Sequence, residues 1–245
     1  MKTVLITGAS GGIGGATLKI FAHNGYKVIA QYNKGKERLD KIIEELSLNG
    51  YGNSVIPVFC DFTDRKSVQE FSSFITNYTF GIDVLVNNAG VDLFSLIDQT
   101  TFEEIDKLVS VNLNSAFATV KSVVAGMISK KKGKIVNVSS IWGVVGGSME
   151  SVYSATKSAL IGYTKALAKE LGPSGINVNC VCPGVIDTEM NACLSKEDRI
   201  DLEERTPLSR MGKPEEVGEL IYFLCSDKAD FITGESIVID GGFIL

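Results

Sequence analysis

Apolar, β-branched runs recur along the chain at near-regular intervals: KTVLIT, KVIAQY, SVIPVF, IDVLV, GKIVNVS, INVNCVC and SIVID. Amphipathic stretches lie between them, among them GKERLDKIIEELSLN and DRKSVQEFSSFITNY, with apolar residues three and four apart. That spacing lines one face of a helix. Near-continuous Val/Ile runs suit strands buried on both faces. Strand and helix in alternation imply parallel strands joined by right-handed crossovers. The pattern therefore predicts an α/β, doubly wound fold of about seven parallel strands with helices on both faces. No linker, repeat or low-complexity block interrupts 1–245, which reads as a single domain. The rhythm weakens only over 187–213, between PGVIDTEMN and RMGKPEE, where short charged helical pieces predict a movable lid over the substrate.

Composition narrows the function. With 44% hydrophobic and 22% charged residues in 245, the chain can bury a substantial core. A net charge of −5 and no long basic tract argue against a nucleic-acid surface. No stretch approaches the roughly 18 apolar residues of a membrane span. The apolar part of MKTVLITGAS feeds straight into a glycine turn, so it reads as a first strand rather than a signal peptide, and a cytoplasmic location is expected. Cys60, Cys180, Cys182, Cys193 and Cys225 form no CxxC pair and no zinc-like group; Cys180 and Cys182 alternate on a strand as small buried hydrophobes. His23 is the sole histidine and falls near the end of the first helix, which excludes a Ser-His-Asp hydrolase and a histidine-bound metal.

Thr7-Gly8-Ala9-Ser10-Gly11-Gly12-Ile13-Gly14 closes the first strand and opens the first helix. Residues without a Cβ let backbone approach a pyrophosphate, and helix N–H groups favour the anion. Without a Gly-Lys-Ser/Thr ending it is not a nucleotide triphosphate loop; it fits a dinucleotide in a Rossmann-like fold, at the carboxyl ends of the strands. The second strand ends in Asn33-Lys34, where an NAD enzyme places an acid on the ribose hydroxyl. Lys34 instead suits a 2′-phosphate, hence NADP(H); the alternative is a solvated turn lysine.

A second constellation carries the chemistry. Tyr153 and Lys157 stand one helical turn apart in SVYSATKSAL, and Ser140 ends KIVNVSS. Reducing a ketone leaves charge on its oxygen, which must be protonated. His, Tyr, Lys, Cys or a carboxylic acid could do so; with His23 in the wrong segment, Tyr153 is the candidate acid, and Lys157 at i+4 is expected to lower the phenol's pKa. Ser140 can hold the substrate oxygen. Ser139 is its rival; alternation sends the two side chains to opposite faces.

With Asn87-Asn88-Ala89-Gly90 and Pro183-Gly184, these motifs resemble the short-chain dehydrogenase/reductase family in order and spacing, from Met1 to the final residues. The resemblance selects Ser140 over Ser139. It implies that Asp61 and Phe62 meet the adenine end, that Asn88, Ala89 and Gly90 line the adenosine ribose, and that Ile186 and Thr188 flank the nicotinamide. Asn112 matches the asparagine holding a water that links the lysine to solvent. PLSRMGKPEEVG and FITGESIVIDGG resemble the bacterial 3-oxoacyl-[acyl-carrier-protein] reductases of fatty acid synthesis, which use NADPH and form homotetramers. An acidic carrier needs a basic dock, which Lys130-Lys131-Lys132 and Lys134 offer, although Ser174 stands where a second basic residue is expected. SSIWGVVGGSMESVYS and PGVIDTEMNACL also resemble the branch that reduces a 5-aminopentanone group on elongation factor P. A catalytically idle dinucleotide-binding regulator is the alternative of another class; the intact Tyr-Lys pair counts against it.

Overall fold

The computed structural model describes residues 1–78, 81–192 and 194–245. Every apolar run becomes a strand. In chain order the chain forms β1 (Thr3–Ile6), α1 (Gly12–His23), β2 (Lys27–Tyr32), α2 (Lys36–Leu48), β3 (Val55–Phe59), α3 (Arg65–Thr76) and β4 (Val84–Asn87). It continues through α4 (Phe102–Val109), a π-helical turn at Ser110–Asn114, α5 (Ser115–Lys130), β5 (Gly133–Val138), α6 (Ile141–Val145) and α7 (Ser151–Leu171). The last elements are β6 (Ile176–Pro183), α8 (Lys196–Arg205), α9 (Pro214–Cys225) and β7 (Ser236–Ile239).

The strands make one parallel sheet in the order β3-β2-β1-β4-β5-β6-β7. From β1 the chain builds outward through β2 and β3, then returns to the other side of β1 at β4. The carboxyl ends of β1 and β4 therefore open a crevice where the winding reverses, the place such sheets bind ligands.

Alternation along each strand feeds two cores. Val4, Ile6, Val28 and Ala30 pack against Leu18 and Phe21 of α1, Leu39 of α2 and Ile221 of α9. On the other face Leu5, Ile29, Leu85 and Ile135 meet Phe71 of α3, Val123 and Met127 of α5 and Leu167 of α7. Burial on both faces explains why the strands read as unbroken Val/Ile runs.

The continuous helical run Phe102–Lys130 holds an 18-residue window of mean hydropathy 1.3, so by length and composition alone it could cross a membrane, as the core helices of many globular proteins could. Its apolar side is divided: Val120, Val123 and Met127 are buried on the sheet, whereas Phe102, Phe117 and Ile128 face outward.

Candidate active site

Three helices of this protein, α3, α4 and α8, close their N-termini with their own side chains. Asp64 accepts from the backbone N–H groups of Lys66 and Ser67 at the start of α3, and Thr101 with Glu104, and Ser195 with Asp198, form capping boxes on α4 and α8. Helix α1 has no side-chain cap; Gly11 occupies that position. Its leading N–H groups point into a cleft of about 710 Å³ above the switch point. They form a ready anion seat.

The glycines of that turn are there for contact distance. Gly8 has φ +65°, and a Cβ on it would lie 2.9 Å from Ala89 Cα. A Cβ on Gly14 would run into the Gly8 carbonyl oxygen and lie 2.7 Å from Asn88 Nδ2; one on Gly12 would lie 2.6 Å from Thr188 Cγ2. Cross-links fix the turn: Asn88 Nδ2 donates to the carbonyls of Thr7 (3.0 Å) and Gly8 (3.2 Å), and Thr7 Oγ1 accepts from the N–H groups of Asn88 and Ala89. Beneath it, Thr119 donates to Asn87, Asn87 to Asn137 and Asn137 to Thr164, a fully buried polar row across the central strands. The turn and the NNAG segment are thus one unit, with a backbone surface that a Cβ would fill. That surface fits the pyrophosphate of a dinucleotide.

All the cofactor positions named from the sequence line this cleft: Gly8, Ser10, Gly11, Gly12, Ile13, Gly14, Asn33, Lys34, Asp61, Phe62, Asn88, Ala89, Gly90, Pro183, Gly184, Ile186 and Thr188, together with Tyr153 and Lys157. Asp61 is held below the usual carboxylate range by the Thr63 hydroxyl and N–H, helped by Asn33 and Lys34. Phe62 packs edge-on against Phe71, 6.0 Å between centroids. Sequence reasoning missed two contributors here. Gln31 accepts from Gly8 N and donates to the Cys60 carbonyl, both at 2.8 Å, tying the turn to β2 and β3. Arg38, the third residue of α2, also lines the cleft and is ion-paired with Glu189.

On the other wall, Ser140, Tyr153 and Lys157 converge. Ser140 sits at the N-cap of α6, its Oγ accepting from Trp142 N at 3.1 Å, and it hydrogen-bonds the Tyr153 phenol. Ser139 instead donates to the Lys157 carbonyl at 2.8 Å. Lys157 Nζ donates to Val138 O at 3.0 Å and lies 5.6 Å from the centre of the Tyr153 ring.

Electrostatics overturn the expected direction for the phenol. Burial raises the Tyr153 pKa well above its ordinary value; the Ser140 bond opposes this, and Glu150 and Asp92 add to it. Lys157, itself wholly enclosed, is pushed down to about 8 by the same loss of water. Desolvation outweighs the single helical turn of proximity, because an ionised phenol in a closed site loses more hydration than a neighbouring cation restores.

Asn112 lies behind the cleft rather than on it. Its amide accepts from Val91 N at 2.8 Å and donates to Val91 O at 2.9 Å and to Thr156 Oγ1 at 3.2 Å. The π-helical turn at Ser110–Asn114 aims it there, so Asn112 fixes the wall against which Lys157 stands.

Two acids escaped sequence reasoning. Asp92 lines the cleft, and Glu150, at the N-cap of α7, is bonded to Trp142 and pushed up to about 7 by burial and by Asp92. No local pattern marks them. The lysine cluster lies elsewhere: Lys130 pairs with Asp83, Lys132 with Asp227 and Lys134 with Asp230, at the entry of β5, the end of the sheet opposite the cleft. Cys180 and Cys182 are buried with their sulfurs 4.0 Å apart, as their alternation predicts, whereas Cys193 lies outside the described residues.

Comparison with known proteins agrees with this geometry. Residues 8–244 match the family described as enoyl-(acyl carrier protein) reductase. The 3-oxoacyl-[acyl-carrier-protein] reductase FabG of Thermotoga maritima is 42% identical over 244 residues, spanning 100% of this chain and 98% of its own. An uncharacterized oxidoreductase of Bacillus subtilis, YmfI, is 36% identical, covering 99% and 98%. The crystal structure of a 3-oxoacyl-[acyl-carrier protein] reductase from Brucella melitensis superposes with TM-score 0.92 at 34% identity, covering 100% of this chain and 91% of that one.

Proposed function

Since the chain belongs to the short-chain dehydrogenase/reductase family, we propose that it is an NADP(H)-dependent ketone reductase with Tyr153 as its general acid. It is an oxidoreductase acting on the carbonyl/alcohol pair. The observation that carries the proposal is the convergence of Ser140, Tyr153 and Lys157 on the cleft that the glycine turn lines.

NADP(H) is the cofactor; when bound it supplies or takes up the hydride. The Gly8–Gly14 turn and the uncapped start of α1 hold its pyrophosphate, and Lys34 and Arg38 suit the 2′-phosphate. Ser140 holds the substrate oxygen while Tyr153 gives up its proton. A phenol raised in pKa is protonated across the working range, which is the form an acid needs in the reducing direction. Lys157, charged below about pH 8, stabilises the phenolate left behind. The Asn112 and Lys157 side chains meet at Gly90, whose absent Cβ would be 3.5 Å from Asn112 Oδ1 and 3.2 Å from Lys157 Nζ. Water in that gap would return the proton. The lid expected over 187–213, of which Cys193 lies outside the described residues, covers the substrate in a single-domain chain of 1–245, and the outward apolar residues of α4 and α5 suit the faces of a cytoplasmic homotetramer.

A 3-oxoacyl thioester on acyl carrier protein is the first substrate, on the strength of the activities named for the relatives. A second reading, reduction of the 5-aminopentanone group on elongation factor P, is favoured by Asp92 and Glu150 beside Tyr153. Two carboxylates suit an ammonium better than an anionic carrier. The test is NADPH and NADH oxidation with a short 3-oxoacyl thioester and with the ketone-modified factor. NADPH-selective turnover of the thioester, abolished in Tyr153→Phe, supports the first reading. NADPH binding with turnover of the modified factor alone replaces it by the second. Binding without turnover of any carbonyl leaves an idle regulator.

A further inference from the structure

The cations around the end of β2 are not equivalent. Lys36 is paired with Asp40 at 2.6 Å, and Lys34 acts on Asp61. Arg38 is left facing two ways. Its Nη1 donates to Glu189, which follows Thr188 in the segment after β6, on the far side of the cleft. Its Nη2 turns toward Gly35 and Ser10: a Cβ on Gly35 would lie 3.0 Å from Nη2, 2.7 Å from Ser10 Cβ and closer still to Ser10 Oγ. Ser10, Lys34 and Gly35 bound the place where the 2′-phosphate belongs on the proposed reading.

The segment carrying Glu189 is itself tethered. Thr188 rests against Gly12, Asn191 Nδ2 donates to Ile186 O at 2.7 Å, and Asp187 is paired with Arg199 of α8 at 3.0 Å. A guanidinium has five N–H donors in a rigid fork, so one edge can hold a carboxylate while another meets a phosphate. No exchange of partners is required.

Resting on the NADP(H) reading, we infer that Arg38 is a two-sided clasp: Glu189 orients it for the 2′-phosphate, and the phosphate in turn holds residues 188–191 closed over the cleft. Glu189 is then a positioning residue for cofactor choice, acting through Arg38. The closing signal is the phosphate rather than the dinucleotide, so NAD(H) fills the glycine turn without fastening the strap. Coupling of this kind is reciprocal: whatever closes the strap also tightens the phosphate.

The experiment is amide hydrogen exchange of residues 188–191 with saturating NADP⁺ or NAD⁺, paired with dissociation constants for both, in the unaltered protein, Glu189→Gln and Arg38→Met. NADP⁺ should slow exchange more than NAD⁺. Glu189→Gln should erase that difference and weaken NADP⁺ about three- to fivefold, the scale of an exposed ion pair, with NAD⁺ affinity within twofold. Arg38→Met should act the same way and more strongly. Equal protection by the two cofactors, or unchanged NADP⁺ affinity in Glu189→Gln, overturns the clasp and leaves the reductase reading standing. Tighter NADP⁺ binding in Glu189→Gln also overturns it, since Glu189 would then be competing with the phosphate. If the unaltered protein does not prefer NADP⁺, the cofactor reading fails and the clasp fails with it.

Discussion

The two walls of the cleft are built by opposite means. The wall made by the Gly8–Gly14 turn and the Asn87–Gly90 segment is closely apposed backbone, tied by the part-buried hydrogen bonds of the Asn88 amide, with side chains absent where they would intrude. The facing wall, made by the start of α6, α7 and the segment after β6, works through side chains: Ser140, Tyr153 and Lys157 at its root, exposed ion pairs such as Arg38–Glu189 and Arg199–Asp187 at its rim. The first wall should fail when atoms are added, the second when particular atoms are removed. The rim should yield only by degrees.

Tyr153→Phe gives the largest effect. It removes one oxygen from the second wall and should cut kcat/KM for ketone reduction by about a thousandfold, within the range of a lost general acid. The melting temperature should stay within a few degrees. A variant that unfolds instead would show that this wall too is structural.

Gly14→Ala breaks the other wall. The added methyl meets the Gly8 carbonyl and Asn88 Nδ2, and should cost about 2 kcal/mol of stability in thermal or urea unfolding, with dinucleotide affinity lost as the turn moves. Normal affinity in the alanine variant would mean that the turn tolerates what its geometry forbids.

The effect of pH separates groups within the second wall. Burial lowers Lys157 to about 8, so its charge is present below that pH and lost above it. The reduction rate should therefore fall as pH rises past about 8, approaching tenfold per unit, before Tyr153 itself ionises. Glu150, raised to about 7, gains its charge as pH rises through that value. If an ammonium-bearing ketone is the substrate, its kcat/KM should climb between about pH 6 and 8, and Glu150→Gln should flatten the climb while sparing a neutral ketone. Arg199→Ala is the mildest test: one exposed pair at the rim should cost under about 1 kcal/mol in unfolding.

Legibility in the sequence followed the same division. The glycine turn could be read from the chain because a glycine is itself the statement that a Cβ does not fit. Tyr153 and Lys157 could be paired because one helical turn fixes their common face. Glu150 and Asp92 could not be read as a pair, since only the docking of α7 beside the strand end of β4 brings their charges together. Arg38 and Glu189 stand 151 residues apart and meet across the cleft only once the sheet is wound. The lysine run looked like a dock because charge in sequence carries no address; three of its members end up paired at the far end of the sheet.

By itself, then, the sequence determined the strand and helix rhythm, the doubly wound parallel class, the glycine cradle and the Ser-Tyr-Lys set, because periodicity and local spacing act over a few residues. The tertiary structure alone decided that the phenol is raised rather than lowered, which acids face the site, and that Arg38 bridges its two walls. Those properties depend on how much water each group loses and on which distant charges arrive beside it. Both are fixed only when the chain closes around the cleft.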